Sequence, residues 1–149
     1  MRRATSALLG LALSACVQPA FACRCVEPSL QYAYKHADAV GKIRINDVSV
    51  PSSDGSVTAQ GEILKAWKAN LPLHIQIVTG EDCAYPLKAH ETYILYLSKG
   101  GASWGTYKCR GNRSLRRSGD TIRWLNKYGT PIKVSGKRYS RIIPVGGTL

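Results

Sequence analysis

Apolar and polar positions alternate in five short stretches of this chain, and each alternation predicts a β-strand. Residues 39–50 carry Val40, Gly41, Ile43, Ile45 and Val48 in a mixed period-2 pattern. A turn at Pro51-Ser52-Ser53-Asp54-Gly55 leads into 56–67, where Val57, Ala59, Gly61 and Ile63 share one face, so the two strands form a long hairpin. Residues 73–79 alternate Leu73, Ile75 and Ile77 against His74 and Gln76. The stretch 92–97, Thr-Tyr-Ile-Leu-Tyr-Leu, is dense in β-formers and reads as a central strand, and 103–109 is a fifth strand ending at Cys109. Gly41 and Gly61 inside strands signal the sharp coiling that barrel closure needs.

Period-3.6 patterns flank these strands. Ser29 caps a short helix over 30–37, with Leu30, Ala33, Tyr34 and Ala37 on its apolar face. Residues 112–128 read as two short helices broken at Ser118-Gly119-Asp120, the second being 121–127 with Asp120 as cap. The predicted fold class is mainly β: a five-stranded antiparallel barrel of the oligonucleotide/oligosaccharide-binding type, with one N-terminal helix and a C-terminal helical segment. Trp67, Trp104 and Trp124 read as packing residues rather than a base-stacking platform. Residues 129–149 carry few apolar residues and read as a basic tail, with an edge strand around 141–145.

The start of the chain is different in kind. Met1-Arg2-Arg3 followed by an apolar run over 4–15 has the form of a signal peptide, and that run is too short to span a membrane. Two cuts compete. Ala20-Phe21-Ala22 is a small-x-small site that would leave Cys23 first in a mature chain of 127 residues, with 1–22 as leader. Leu13-Ser14-Ala15-Cys16 resembles a bacterial lipobox, which would instead make a lipoprotein anchored through Cys16. The reading is a secreted or periplasmic protein, or else a membrane lipoprotein; no stretch has the length and apolarity of a spanning helix.

Four cysteines remain after either cut: Cys23, Cys25, Cys83 and Cys109. In an exported chain they read as two disulfides. A Cys23 to Cys25 bridge is strained by its single intervening residue, which leaves two connectivities open, each tying the N-terminus to two distant places.

Charge is uneven. Between residues 23 and 107 eight Lys or Arg meet eight Asp or Glu, whereas 108–149 holds eleven Lys or Arg against Asp120 alone, a net of +10. Arg110, Arg113, Arg116, Arg117, Arg123 and Lys127, with Lys133, Lys137, Arg138 and Arg141 beyond, are candidates for binding an acidic polysaccharide or lipid surface. Export and disulfides argue against nucleic acid as the partner. No Ser-x-x-Lys, Gly-x-Ser-x-Gly or His-Glu-x-x-His motif occurs, so the chain reads as a non-enzyme. His36, His74 and His90 are too scattered for a local metal motif. No cofactor and no metal of its own are expected, and a monomer is expected.

Cys23-Arg24-Cys25 at a signal cut, a loop cysteine at Cys83, a strand-terminal cysteine at Cys109 and a helical segment just beyond resemble the N-terminal, netrin-type domain of tissue inhibitors of metalloproteinases. The resemblance runs from about 23 to 128 and implies a minimal version of bacterial type, without the family's third disulfide in this domain or its C-terminal domain. It implies an OB-like barrel with bridges Cys23 to Cys83 and Cys25 to Cys109. It also implies an activity: the Cys23 amino nitrogen and carbonyl oxygen would chelate the catalytic zinc of a metalloendopeptidase, filling the position that a three-ligand site keeps open. Arg24, Cys25, Val26 and Glu27 would then lie along the protease cleft. Arg24 departs from the family's Thr or Ser at that place and favours a target with an acidic or open specificity pocket. The alternative reading is a non-inhibitory exported netrin-type module whose basic face binds polyanions.

Overall fold

The computed structural model describes residues 23–80 and 83–136. The leader with Cys16, the edge strand expected around 141–145, and Lys137, Arg138 and Arg141 lie outside the described residues.

The described chain runs α1 (Leu30–His36), β1 (Ala39–Val48), β2 (Val57–Lys68), β3 (His74–Thr79), β4 (Thr92–Gly100), β5 (Ser103–Gly105), β6 (Arg113–Ser114) and α2 (Gly119–Tyr128), with 3-10 turns at Lys108–Arg110 and Leu115–Arg117. Strand order is β1-β2-β3-β5-β4-β6, and a further pairing of β1 with β4 closes the first five into a barrel. The expectation of an all-antiparallel barrel is corrected here, because β3 and β5 run parallel, Ile77 opposite Trp104 and Val78 opposite Gly105. Parity is the physical reason. Directions can alternate all the way round a closed ring only when the number of strands is even, so a ring of five must contain a parallel pair.

Inside the barrel, Ile43, Ile45, Ala59, Ile63, Ile75, Ile77, Tyr93, Leu95 and Leu97 form the core. β4 is buried on both faces: Tyr93, Leu95 and Leu97 point inward, while Ile94 and Tyr96 join Ala33, Ala37, Val40, Trp67 and Leu125 in a second cluster under the helices. That double burial explains its unbroken apolar run. Gly61 lies where β2 crosses close to β1; a Cβ there would come within 2.7 Å of Ile43 Cγ2 and 3.3 Å of Ile77 Cδ1. Register shifts in the β1–β2 ladder accompany this close approach.

α1 starts as its cap predicts, with Ser29 Oγ accepting from the Tyr32 amide at 3.2 Å, and ends at His36 rather than 37. β5 is corrected more heavily. It stops at Gly105, and the following chain turns through the 3-10 segment that carries Cys109. The first of the two helices expected in 112–128 is only the 3-10 turn Leu115–Arg117, after the two-residue β6. The second begins at Gly119 with Ser118, not Asp120, at its cap; Asp120 sits in the first turn, paired with Arg123. Trp67 is buried and donates its indole N–H to Asn126 Oδ1 at 3.1 Å, which locks α2 to β2. The beginning of the segment read as a tail lies along the barrel: Ile132 donates to Ala66 O at 3.0 Å, Ser135 to Leu71 O at 3.3 Å, and Ile132 and Val134 pack on the core.

Candidate functional site

The N-terminal segment Cys23-Arg24-Cys25-Val26-Glu27 crosses one end of the barrel and is fastened there at two points. Cys23 is bonded to Cys83 in the segment after β3, and Cys25 to Cys109 in the 3-10 turn after β5, with Cα–Cα distances of 5.6 and 5.0 Å. The bridges lie side by side, Cys23 Sγ being 4.0 Å from Cys109 Sγ. Cys23, Cys25 and Cys109 sulfurs are close enough to suggest a metal cluster, but every one is spent on a disulfide. Neither cysteine of the pair is fully buried, Arg24 and Glu27 are exposed, and Val26 is 91% exposed, so an apolar side chain stands out from the ridge.

Local structure explains why the anchoring points are fixed. After Lys108–Arg110 the chain reverses at Gly111, whose φ of +84 suits glycine. A Cβ at that position would also meet Ala33 Cβ at 3.2 Å and Pro28 Cγ at 3.4 Å. The next residue, Asn112, is buried and fully used: its Oδ1 accepts from the Tyr96 amide at 2.9 Å, and its Nδ2 donates to Thr106 Oγ1 at 2.8 Å and Tyr107 O at 2.9 Å. Thr106 Oγ1 donates in turn to Tyr96 O at 3.0 Å. This network ties the turn bearing Cys109 to β4. Asn112-Arg113-Ser114 has the form of a glycosylation acceptor, yet a glycan on a side-chain amide buried with three partners is incompatible with this network. Glu27 forms an ion pair with Arg113, which holds the far end of the ridge.

At the start of β4, Tyr93 Oη donates to Glu91 Oε2 at 2.9 Å and accepts from the Lys88 amide at 3.1 Å. Burial, reinforced by that carboxylate, pushes the Tyr93 phenol up to about 12. Tyr85 packs edge-on against it with ring centroids 5.9 Å apart, and burial raises its pKa as well.

The basic candidates are spread over several elements rather than gathered in one patch. Arg110 lies in the first 3-10 turn with its guanidinium carbon 4.8 Å from the centre of the Tyr107 ring. Arg113 and Arg117, with Lys108, line a groove of about 450 Å³ that also contains Glu27 and Tyr85. Arg116 lines a neighbouring groove with Glu91 and Thr92. Arg123 and Lys127 are on α2, Arg123 paired with Asp120 and Lys127 resting over the Tyr128 ring at 5.0 Å. His36, His74 and His90 are exposed and on separate elements. No helix among the described residues is long and apolar enough to cross a membrane.

Sequence reasoning missed Asn112 as the staple of the ridge and the Glu27–Arg113 pair. The Gly-Asn pair after Cys109 was the available signal, since Gly followed by Asn marks a turn in which the Asn side chain bonds locally. No protein-family model and no curated protein matches the chain.

Proposed function

We propose that the chain is an exported inhibitor of zinc metalloendopeptidases that acts after cleavage between Ala22 and Cys23. The carrying observation is the doubly fastened, exposed ridge of Cys23 to Glu27, whose two bridges reach two different segments at one end of the barrel. The closed ring β1-β2-β3-β5-β4 supports the OB-like, netrin-type reading of the fold.

In the proposed mode the free α-amino nitrogen and the carbonyl oxygen of Cys23 enter the open position of the protease zinc and displace its water. An α-amino group titrates near about 7.7 to 8.0, so its neutral, coordinating form is available at physiological pH. The bridges keep the ridge rigid, which limits the conformational entropy lost on docking. Arg24 and Val26 then meet the cleft. An unpaired guanidinium is costly to bury, so Arg24 favours a target whose specificity pocket carries a carboxylate or opens to water.

The test compares two purified proteins against a panel of zinc endopeptidases, one beginning at Cys23 and one with a single alanine added ahead of it. Loss of inhibition in the extended protein, with an unchanged circular dichroism spectrum, is expected; equal inhibition by both overturns the mechanism. N-terminal sequencing of the exported protein supplies the second arm, because a diacylglyceryl group on Cys16 removes the free amine at Cys23.

One observation favours a second reading, a polyanion-binding module: the groove lined by Lys108, Arg113 and Arg117. That reading expects retention on heparin with strong salt dependence. Elution at low salt counts against it.

A further inference from the structure

We propose that the cavity between α1 and the Lys108–Arg110 turn binds a small aromatic carboxylate. The cavity measures about 310 Å³, and its lining includes Pro28, Tyr32, His36, Tyr96, Tyr107 and Arg110. That volume lies at the lower end of the range for ligand pockets, which begins at about 300 Å³.

Two buried side-chain polar atoms among the described residues have no hydrogen-bond partner, Tyr96 Oη and Arg110 Nε. Both belong to residues that line this one cavity. Folded proteins pair nearly all their buried polar groups, because an unmade bond forfeits hydration without compensation. Two such atoms on residues that line one cavity therefore mark a place for an outside partner.

The chemistry of that partner follows from the donors. A guanidinium offers only N–H groups and a fixed positive charge. The Tyr96 phenol keeps its proton because burial pushes its pKa up to about 12, so it too donates. No acidic side chain is found among the described lining residues. Two donors, one of them cationic, call for an anion with two acceptor oxygens, and the fork of a guanidinium matches a carboxylate.

The walls select the rest of the ligand. Tyr32 and Tyr107 are 59% and 41% exposed, leaving aromatic surface at the mouth, and Pro28 and Ala33 add apolar contact. His36 stacks against Tyr32 with centroids 4.1 Å apart, and Arg110 is held over the Tyr107 ring. A flat ring attached to the carboxylate fits these surfaces better than a branched aliphatic body. The inference does not depend on zinc chelation at Cys23.

The experiment titrates the oxidised full chain, isotope-labelled for NMR, with sodium benzoate, and with benzamide as the uncharged control. Saturable shifts at Tyr96, Tyr107 and the Arg110 side chain are expected with benzoate, and at least 10-fold weaker binding with benzamide. Tyr96→Phe and Arg110→Gln should each weaken benzoate binding about 10-fold, equivalent to about 1.4 kcal/mol. Tyr96→Phe removes an unpartnered hydroxyl while keeping the ring, so its fold and thermal midpoint are retained, which separates lost binding from lost structure. Absence of saturable shifts, equal binding by benzamide, or undiminished binding in both variants overturns the proposal.

Discussion

Replacing Cys25 and Cys109 together by serine opens one of the two bridges and leaves neither of its sulfurs behind as a free thiol. The sequence separations are 60 for Cys23–Cys83 and 84 for Cys25–Cys109, so in an otherwise open chain each closes a long loop. On the chain-entropy account, loops of that length are each worth about 4.3 to 4.6 kcal/mol. The bridges are not independent, however. With Cys23–Cys83 intact, the route from Cys25 to Cys109 is two residues back to Cys23, across the bridge, and 26 residues on from Cys83, an effective loop of about 28 residues. Closing that shorter loop is worth about 3.6 kcal/mol, and the same holds for the other bridge when Cys25–Cys109 is kept.

Either paired-serine variant should therefore lose about 3.6 kcal/mol, and the variant lacking both bridges about 8 kcal/mol. The double loss exceeds the sum of the single ones by roughly 1 kcal/mol, because the chain opened first still benefits from the remaining tether. For a domain of this size the single loss lowers the thermal midpoint by roughly 15 °C. The double loss is comparable to the whole stability of a typical domain, about 5 to 15 kcal/mol, and should leave the barrel largely unfolded at ambient temperature. Urea unfolding followed by circular dichroism measures all four proteins. A single variant that loses less than about 1 kcal/mol would refute the loop argument. It would show that the N-terminal segment contributes its restraint through contacts rather than through closure.

The remaining predictions concern the residues behind the ridge. Asn112→Ala strips the Tyr96 amide, Thr106 Oγ1 and Tyr107 O of a buried partner and should cost about 3 kcal/mol. Faster hydrogen exchange at the Tyr96 amide is the local signature, and a loss under about 1 kcal/mol with unchanged exchange would contradict the staple role. Tyr93 and Tyr96 hold their protons more tightly folded than unfolded, with pKa values raised to about 12 from the ordinary 10.0. Their contribution is complete below pH 10 and is lost as pH rises towards 12, so stability should fall across that alkaline window. Phenolate absorbance should show Tyr93 and Tyr96 ionising at about 12, and loss of that late phase should accompany their replacement by Phe; ionisation of these two at the ordinary 10.0 would refute it.

Much of the barrel is written in local periodicity. β3 and the part of β2 from Ala59 to Ile63 alternate because one face meets the core, and the unbroken apolar run of β4 matches its burial on both faces. The direction of β5 relative to β3 is not a local property, since the two strands are joined only through β4, although counting strands round a closed ring would have required a parallel pair. β5 is shorter than its pattern: the Thr106 amide still donates to Val78 O at 3.0 Å, but the Tyr107 carbonyl is taken by the Asn112 network and the chain then turns into Lys108–Arg110. Of the site, the Cys-x-Cys pair and the basic residues were visible as residue types. The Glu27–Arg113 pair and the unpartnered atoms of Tyr96 and Arg110 were not, because they arise from the meeting of segments far apart in sequence.

The 4.0 Å between Cys23 Sγ and Cys109 Sγ bears on how the molecule matures. Of the four bridge cysteines, Cys23 and Cys25 are synthesised first, Cys83 follows, and Cys109 comes 26 residues later still, so the earliest available partner can be taken by either thiol. In the finished protein the wrong sulfur still lies beside the right one. Oxidation alone therefore does not choose between the two pairings, and because the barrel without bridges is largely unfolded, folding and correct pairing have to proceed together. A wrong first bridge can be corrected only by thiol–disulfide exchange, and the neighbouring sulfurs of the two bridges are close enough for it.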